Sequence, residues 1–141
     1  MRTNEQVMEQ YVRAMTSGGD FSSSFAPDVL WTTMETGDEV RGREAVRDLI
    51  VFLHSQAFDA QVEVRSMVVG TDGAVLEAVF RGRQTADVFG VAAGGAGGGA
   101  VEAPYAVAYD LAEGRITALR AYFPVRQVQE QLRSAARLTS V

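Results

Sequence analysis

The order of helix-type and strand-type segments constrains the fold of this chain more than any other feature. Apolar residues recur at helical spacing after Thr3 or Asn4, either of which can cap a first helix that ends near Ser17, and again over residues 43–56. Strand-type segments then follow one another almost to residue 123, before a last helix predicted over residues 125–137. Helices followed by a run of strands are typical of the α+β class. We therefore expect residues 1–141 to form a single α+β domain.

Short turns separate the strand-type segments. A helical turn is predicted around residues 21–25, and Thr71-Asp72-Gly73 and Glu113-Gly114 have the composition of hairpin turns. The glycine-rich run over residues 94–99 leads into a strand rather than a helix, so we interpret it as a hairpin tip and not as a phosphate-binding loop. The predicted strands cover residues 29–34, 60–69, 74–83, 84–91, 101–111 and 115–123.

Missing residue types exclude several classes of chemistry. The chain has no cysteine, which excludes disulfides, thiolate nucleophiles and zinc–thiolate sites. All 13 basic residues are arginine, so no lysine is available to form a Schiff base. His54 is the only histidine, which rules out a multi-histidine metal site and leaves at most one imidazole for acid–base work. We expect neither a metal nor an organic cofactor.

Charge and hydropathy bound the partners and the location. The formal net charge of −5 argues against nucleic acid, whose phosphates need a basic surface. No run of about 18 apolar residues is present, and residues 1–6 lack the apolar core of a signal peptide. We therefore expect a cytoplasmic protein that binds neither nucleic acid nor membranes.

Four stretches match, in order and spacing, the motifs of one fold family. Residues 9–15, Glu-Gln-Tyr-Val-Arg-Ala-Met, with the Ser-Gly-Gly-Asp of residues 17–20, are similar to its first helix and turn. Residues 25–31 are similar to the start of its first strand, residues 41–46 to the start of its long helix, and residues 113–132 to its last strand and closing helix. The chain thus resembles the SnoaL-like group of the nuclear transport factor 2-like superfamily, with ketosteroid isomerase and limonene epoxide hydrolase among its relatives.

This resemblance implies a cone-shaped fold. A strongly bent antiparallel sheet would wrap around the N-terminal helices, and a C-terminal helix would close the cone. The inner wall would enclose an apolar cavity for a small apolar or polyketide-like ligand, which is the usual form of a small-molecule site. The outer face of the sheet would be covered by a second subunit, so the resemblance also implies a homodimer.

The catalytic acids of the isomerase are not matched in this chain. Its hydrogen-bond-donating tyrosine falls on Tyr11, which is present. Its general-base aspartate falls on Thr33 and its protonated aspartate on Ala106, so the known proton shuttle is not expected.

The acids of the other relatives are also largely missing. The arginine–aspartate pair of the hydrolase falls near Val79 and Arg81, and its second aspartate on Ala121. Polyketide cyclases of the SnoaL-like group have a carboxylate where this chain has Pro124. The polyether epoxide-opening cyclases have a glutamate near Glu63, and only that acid has a counterpart here.

Tyr11, Glu77 and Arg81 are the candidates for catalysis that the residue pattern itself offers. Tyr11 lies in the apolar stripe of the first helix, where its hydroxyl can donate to a carbonyl, enolate or epoxide oxygen, or can be a core tyrosine bonded to backbone. Glu77 and Arg81 share one face of a strand with Val79. If that face lines the cavity, Glu77 can act as base and Arg81 can hold an oxyanion; in the opposite register both meet solvent.

The remaining polar and aromatic candidates have structural alternatives. His54, near the end of the long helix, can reach the cavity mouth or be a histidine favoured by the helix dipole. Glu35, Asp38 and Glu39 are interpreted as solvated turn acids, and Tyr105, Tyr109, Tyr122 and Arg120 as sheet-face or dimer contacts. The expected substrate-binding wall consists of Trp31, Thr33, Ile50, His54, Val79, Ala106, Leu119, Ala121 and Phe123.

Two functions of different class remain open from the sequence. The first is a small-molecule enzyme that cyclises, isomerises or opens an epoxide of a polyketide- or terpenoid-like intermediate. In it Tyr11 would donate a hydrogen bond, Glu77 or Glu63 would move a proton, and Arg81 would hold the oxyanion. The second is a non-catalytic module of the same fold that binds a small ligand or a protein. A buried Glu–Arg or Tyr–Glu pair favours the enzyme, and a cavity lined only by Val, Leu, Phe and Ala favours the module. A further possibility is an enzyme that works mainly by confining a reactive substrate in a shaped apolar pocket.

Overall fold

The computed structural model describes residues 1–93 and 99–139 of the chain. Helix α1 spans Asn4–Ser17 and begins with a capping box, in which the Thr3 hydroxyl accepts from the Gln6 backbone N–H and the Gln6 side chain accepts from the Thr3 N–H. It ends at Gly18, whose φ of 78° is the left-handed geometry that glycine adopts without strain. The predicted first helix is confirmed at both ends.

Two further helices flank the strands. Helix α2 spans Arg43–Val51 and continues as a π-helical turn over Phe52–Gln56, so the helix predicted over residues 43–56 is present with a wider last turn. The Ala57 N–H donates to the Phe52 carbonyl at 2.7 Å, which is the five-residue spacing of a π-helix. Helix α3 spans Val125–Thr139, and a short 3₁₀ turn covers Ser22–Ser24.

Six strands form one bent sheet with the order β2-β1-β6-β5-β4-β3. Neighbouring strands are antiparallel except β1 and β6, which are parallel, so the sheet is mixed rather than wholly antiparallel. The strands are β1 Phe25–Thr33, β2 Asp38–Arg41, β3 Phe58–Val69, β4 Gly73–Gln84, β5 Ala100–Ala112 and β6 Arg115–Tyr122. This is the α+β cone fold that the sequence predicted.

The predicted strand over residues 84–91 is wrong. After Gln84 the chain leaves the sheet, and Val88 and Val91 make only an isolated bridge around a turn. Phe89 and Gly90 form that turn with φ of 52° and 74°, which no strand residue adopts. The Gln84 Nε2 donates to the carbonyls of Ala86 and Val91 at 3.1 and 2.9 Å. In a sheet, these carbonyls would accept from a neighbouring strand instead.

The acidic segment before α2 also differs from the prediction. Residues 38–41, interpreted as part of an acidic loop, pair with β1 as strand β2. The Glu35 carboxylate accepts from the Arg126 backbone N–H at 2.8 Å, and it therefore caps the start of α3 instead of being only solvated. Of the glycine-rich hairpin tip predicted over residues 94–99, residues 94–98 lie outside the described residues.

The concave face of the sheet buries two apolar clusters. The first, built around Tyr11, Phe25 and Leu119, joins α1 and α2 to the sheet. The second, built around Phe58, Phe80 and Leu132, joins α3 to the sheet. Among the helices of the described residues, none combines the length and apolarity needed to span a lipid bilayer.

Leu132→Ala should lower the free energy of unfolding by about 2–5 kcal/mol, because the Leu132 side chain is 2% exposed and packs in the second cluster. Denaturant unfolding followed by circular dichroism measures this change. Arg133→Ala is the control, since Arg133 is exposed on the same helix and its removal should change stability by less than about 0.5 kcal/mol. Equal effects of the two substitutions would show that α3 is not docked through Leu132.

Candidate functional site

A cavity of about 80 Å³ lies on the concave face of the sheet. Strand β1, the end of α2 with its π-helical turn, strands β4 to β6 and the start of α3 each contribute to its wall. The lining residues are Trp31, Thr33, Leu49, Leu53, His54, Phe80, Phe89, Tyr105, Ala121, Phe123 and Val125.

Aromatic rings in edge contact form one continuous wall of the cavity. Phe123 packs against Phe80, Tyr105 and Phe89, with ring centroids 5.4, 5.5 and 6.1 Å apart. The His54 imidazole in turn packs edge-on against Phe80 at 5.7 Å. Such contacts leave the rings little freedom and keep water from the polar groups among them.

His54 is the buried basic group of this wall. Its Nδ1 lies 2.7 Å from the Ile50 carbonyl oxygen, and because a carbonyl can only accept, Nδ1 carries the proton and Nε2 holds the free lone pair. Nε2 is buried and has no hydrogen-bond partner among the described residues. Burial lowers the pKa of His54, and the bond to Ile50 offsets this only in part, so the ring is neutral at pH 7.

Tyr105 and the Trp31–Thr33 pair supply the hydroxyls of the cavity. Burial raises the pKa of Tyr105, so its phenol stays protonated and can donate a hydrogen bond. The Trp31 indole N–H donates to the Thr33 hydroxyl oxygen at 2.9 Å, which leaves the Thr33 O–H free to turn towards an occupant. The wall of the cavity is almost wholly apolar, and the polar groups carried by its lining side chains include one neutral imidazole and two hydroxyls.

Tyr11 lies in the first cluster and does not line the cavity. Its ring packs against Phe21, Phe25 and Tyr109, and it is 1% exposed. Burial raises the pKa of Tyr11, and a hydrogen bond with the Tyr109 hydroxyl acts against this rise. The hydroxyl thus points to the interior, as the sequence predicted, but it meets another tyrosine there.

Glu77, Arg81 and Glu63 lie on the outer face of the sheet, so the register that the sequence left open is the exposed one. Arg81 pairs with Glu63 at 2.7 Å and with Glu102 at 3.3 Å, and Glu77 accepts from the Ser66 hydroxyl at 2.8 Å. The bond from Arg81 lowers the pKa of Glu63. Exposed pairs of this kind contribute little to stability, and none of the three carboxylates lines the cavity.

The structure brings together five of the nine wall residues predicted from the sequence, namely Trp31, Thr33, His54, Ala121 and Phe123. The other four lie elsewhere. Ile50 lines a neighbouring groove, Leu119 belongs to the first cluster, and Val79 and Ala106 belong to the outer face, where they pair with Glu63 and Glu77.

Six lining residues were missed from the sequence, and four of them had a usable signal. Phe80 and Tyr105 lie on the opposite strand faces from Val79 and Ala106, so choosing the other register would have found both. Leu49 and Leu53 lie on the apolar face of the long helix together with Ile50. Phe89 and Val125 gave no comparable signal. Within the described residues, no three His, Asp or Glu side chains are grouped as metal ligands would be.

Comparison with solved structures gives the same fold over nearly the whole chain. A candidate SnoaL-like polyketide cyclase from Jannaschia sp. CCS1 is 21% identical with a TM-score of 0.77, and the match covers 94% of this chain and 96% of that chain. TsrD from Streptomyces laurentii is 22% identical with a TM-score of 0.73, covering 91% and 92%. A protein of ketosteroid isomerase-like fold from Catenulispora acidiphila DSM 44928, in complex with trimethylamine, is 18% identical with a TM-score of 0.69, covering 92% and 94%.

No curated protein sequence matches the chain. At identities this low the structural likeness shows the fold alone, and the family rests on a second finding. The family model of the SnoaL-like domain matches residues 8–119, which is most of the chain. The chain therefore belongs to the SnoaL-like domain family.

Proposed function

We propose that this protein is a small-molecule enzyme that cyclises, isomerises or opens an epoxide of a polyketide- or terpenoid-like intermediate, without a cofactor. One observation supports this most: the His54 Nε2 is buried without a partner in the wall of an aromatic cavity. A buried polar atom is normally paired, because leaving it unpaired costs about 1–3 kcal/mol. A substrate that donates to Nε2 would remove this cost.

The chemistry that fits is proton transfer from a carbon next to a carbonyl. The His54 Nε2 takes the proton, the C–H electron pair becomes a carbon–carbon double bond, and the negative charge moves to the carbonyl oxygen. The Tyr105 O–H donates to that oxygen and stabilises the charge in a site of low dielectric constant. If the enolate is conjugated with a second double bond, return of the proton to the far carbon isomerises the substrate. If the enolate attacks a second carbonyl instead, a carbon–carbon bond closes the ring and the new alkoxide takes the proton from His54.

This proposal assigns the roles of base and hydrogen-bond donor to residues of the cavity and not to the residues expected from the sequence. His54 takes the place of Glu77 or Glu63 as base, since both carboxylates are solvated on the outer face. Tyr105 takes the place of Tyr11 as hydrogen-bond donor and of Arg81 as the group that holds the oxyanion. For epoxide opening, the same phenol would donate to the epoxide oxygen while a hydroxyl of the substrate or a water attacks the epoxide carbon. The C–O bond of the epoxide breaks, and His54 Nε2 takes the proton of the attacking group.

One observation favours a second function, the binding of a small ligand without catalysis. The described lining of the cavity contains no carboxylate, whereas the enzymes that the chain resembles use carboxylates. In this alternative Nε2 and the Tyr105 hydroxyl only orient the ligand. Binding without proton exchange would then be the expected behaviour.

The pKa of His54 should lie below its ordinary value of 6.5, since burial disfavours the imidazolium. Because His54 is the only histidine, one pair of imidazole resonances reports it in a pH titration by NMR. The contribution of His54 to the free energy of unfolding should be fully present above about pH 6.5. It should fall as the pH drops from 6.5 towards the pKa of His54 in the folded protein, because between these two values only the unfolded chain takes up the proton. His54→Gln should remove this part of the pH dependence, and a measured pKa above 6.5 would contradict the proposal.

The protein should exchange the hydrogens next to the carbonyl of cyclohexanone for deuterium in D₂O, as followed by NMR. His54→Gln and Tyr105→Phe should each slow this exchange by about 100-fold, the usual effect of losing a general base or an oxyanion donor. The exchange rate should also fall as the pH drops through the pKa of His54, because only the neutral ring accepts a proton.

Glu77→Gln is the matched control for this assay, since its carboxylate lies on the outer face of the sheet. It should exchange cyclohexanone at the rate of the wild type. Loss of exchange in Glu77→Gln with retention in His54→Gln would reverse the assignment. Binding of cyclohexanone without exchange would favour the non-catalytic alternative.

We also propose that the outer face of the sheet forms a homodimer. Val68, Val75 and Tyr122 are 70%, 45% and 50% exposed there, and small Ala106 and Ala108 lie beside them across the strands. Glu77 and Arg120 lie beside Ala106 and Ala108 in the same cross-strand rows, and exposed apolar side chains with charged neighbours are characteristic of interfaces with a polar rim. The cytoplasmic location expected from the sequence stays a prediction.

Val75→Asp should convert a dimer into a monomer, because it places a charge in the centre of this surface. Light scattering coupled to size-exclusion chromatography measures the mass, which for the wild type should be that of two chains. Arg13→Asp, an exposed substitution on α1, should leave the mass unchanged. A wild type that runs as a single chain would refute the dimer.

A further inference from the structure

A groove of about 650 Å³ lies beside the cavity on the same concave face. We call it the outer groove. The end of α1, the π-helical turn and the inner face of β3 enclose it. Its lining combines apolar side chains with hydroxyl, amide and glycine groups: Met15, Thr16, Gly18, Gly19, Phe21, Ile50, Val51, His54, Ser55, Ala60, Gln61 and Val62.

His54 lines both the cavity and the outer groove. Val62 of the groove and Phe80 of the cavity are register partners on β3 and β4, so the two spaces are neighbours on the sheet. The imidazole packs on Phe80 and is held by its one bond to Ile50. His54 is therefore the side chain that separates the two spaces.

The cavity by itself is too small for the proposed substrate. Its volume of about 80 Å³ is well below the roughly 300–1,000 Å³ of pockets that bind drug-sized ligands. The outer groove supplies the missing volume on the other side of His54.

We infer that the cavity and the outer groove form one two-compartment site for an elongated, chain-bearing molecule, whose ring or branched end fills the cavity and whose chain lies in the groove. This inference rests on the proposed function, in which the cavity binds substrate. Met15, Phe21 and Val62 suit the methylene part of such a chain. The Thr16 and Ser55 hydroxyls donate to the carbonyls of Val12 and Val51, so they can accept a hydrogen bond from a hydroxyl substituent of the chain.

Phenol and 4-hexylphenol are suitable probes, because they share a ring and a hydroxyl and differ only in the chain. Their dissociation constants, measured by isothermal titration calorimetry, give the gain in affinity due to the chain. If the chain is buried in the groove, each methylene should strengthen binding by about twofold to fourfold. The whole chain should then give a gain of about 50-fold or more.

Two substitutions test whether the groove is where the chain lies. Thr16→Trp and Ser55→Trp each place an indole in the groove from opposite walls, at positions that are exposed and should tolerate it. In both variants the gain from phenol to 4-hexylphenol should fall to within about threefold of unity. Arg13→Trp adds an exposed tryptophan to α1 away from the groove and should keep the full gain. Circular dichroism verifies that each variant is folded.

The outcomes separate this inference from the function on which it rests. A chain gain that persists in both groove variants would overturn the two-compartment site, as would a wild type that binds phenol and 4-hexylphenol equally. Either result would leave binding of phenol in the cavity, and with it the proposed function, intact. A wild type that binds neither probe would overturn both.

Discussion

The parallel pairing of β1 with β6 is the contact on which the cavity depends. It sets Trp31 beside Leu119 and Thr33 beside Ala121, and so joins the two ends of the chain into one sheet. Helix α2 packs on β1, and α3 follows β6 directly, so this single pairing brings both helices to the same concave surface. Without it the π-helical turn with His54 would have no aromatic wall to face. The rest of the site is built on strands that pair with their neighbours in sequence.

Local features of the fold could be predicted from the sequence, and non-local ones could not. The cap at Thr3, the end of α1 and the turns at Asp72-Gly73 and Glu113-Gly114 depend on a few adjacent residues, and the structure has all of them. Which face of β4 lines the cavity depends on contacts with distant parts of the chain. Val79 is only 7% exposed although it lies on the outer face, so both faces of β4 have apolar residues. The alternation of residues along β4 therefore does not show which face is the inner one.

The candidate site was predicted only in part for the same reason. Trp31, Thr33, Ala121 and Phe123 were found because the family resemblance fixes the positions of the first and last strands. His54 could be placed at the end of the long helix, but its unpaired Nε2 is a property of the packing around Phe80 and Ile50. Phe89 enters the wall through a turn with positive φ where the pattern indicated a strand.

The distribution of charge explains how an acidic chain can contain a neutral site. The ion pairs of Glu63, Arg81 and Glu102 lie in solvent on the convex side of the sheet, where water screens them. The groups inside the cone are a neutral imidazole, a phenol and a threonine hydroxyl. A site of this kind does not select a ligand by its charge. It selects by shape and by hydrogen bonds, which suits uncharged carbonyl compounds better than carboxylates or phosphates.

The Glu35 carboxylate, which caps α3, makes an electrostatic contact next to the cavity wall. Val125 forms part of the cavity wall, and the next backbone N–H, that of Arg126, is bound by the carboxylate two residues beyond Thr33. The loop after β1 is thus joined to the start of α3 by a charge at the positive end of a helix, whereas the aromatic wall is held by ring packing. Dissolved ions weaken the first kind of contact and leave the second almost unchanged. Ionic strength should therefore alter the contact between α3 and the loop after β1 while the aromatic wall stays as it is.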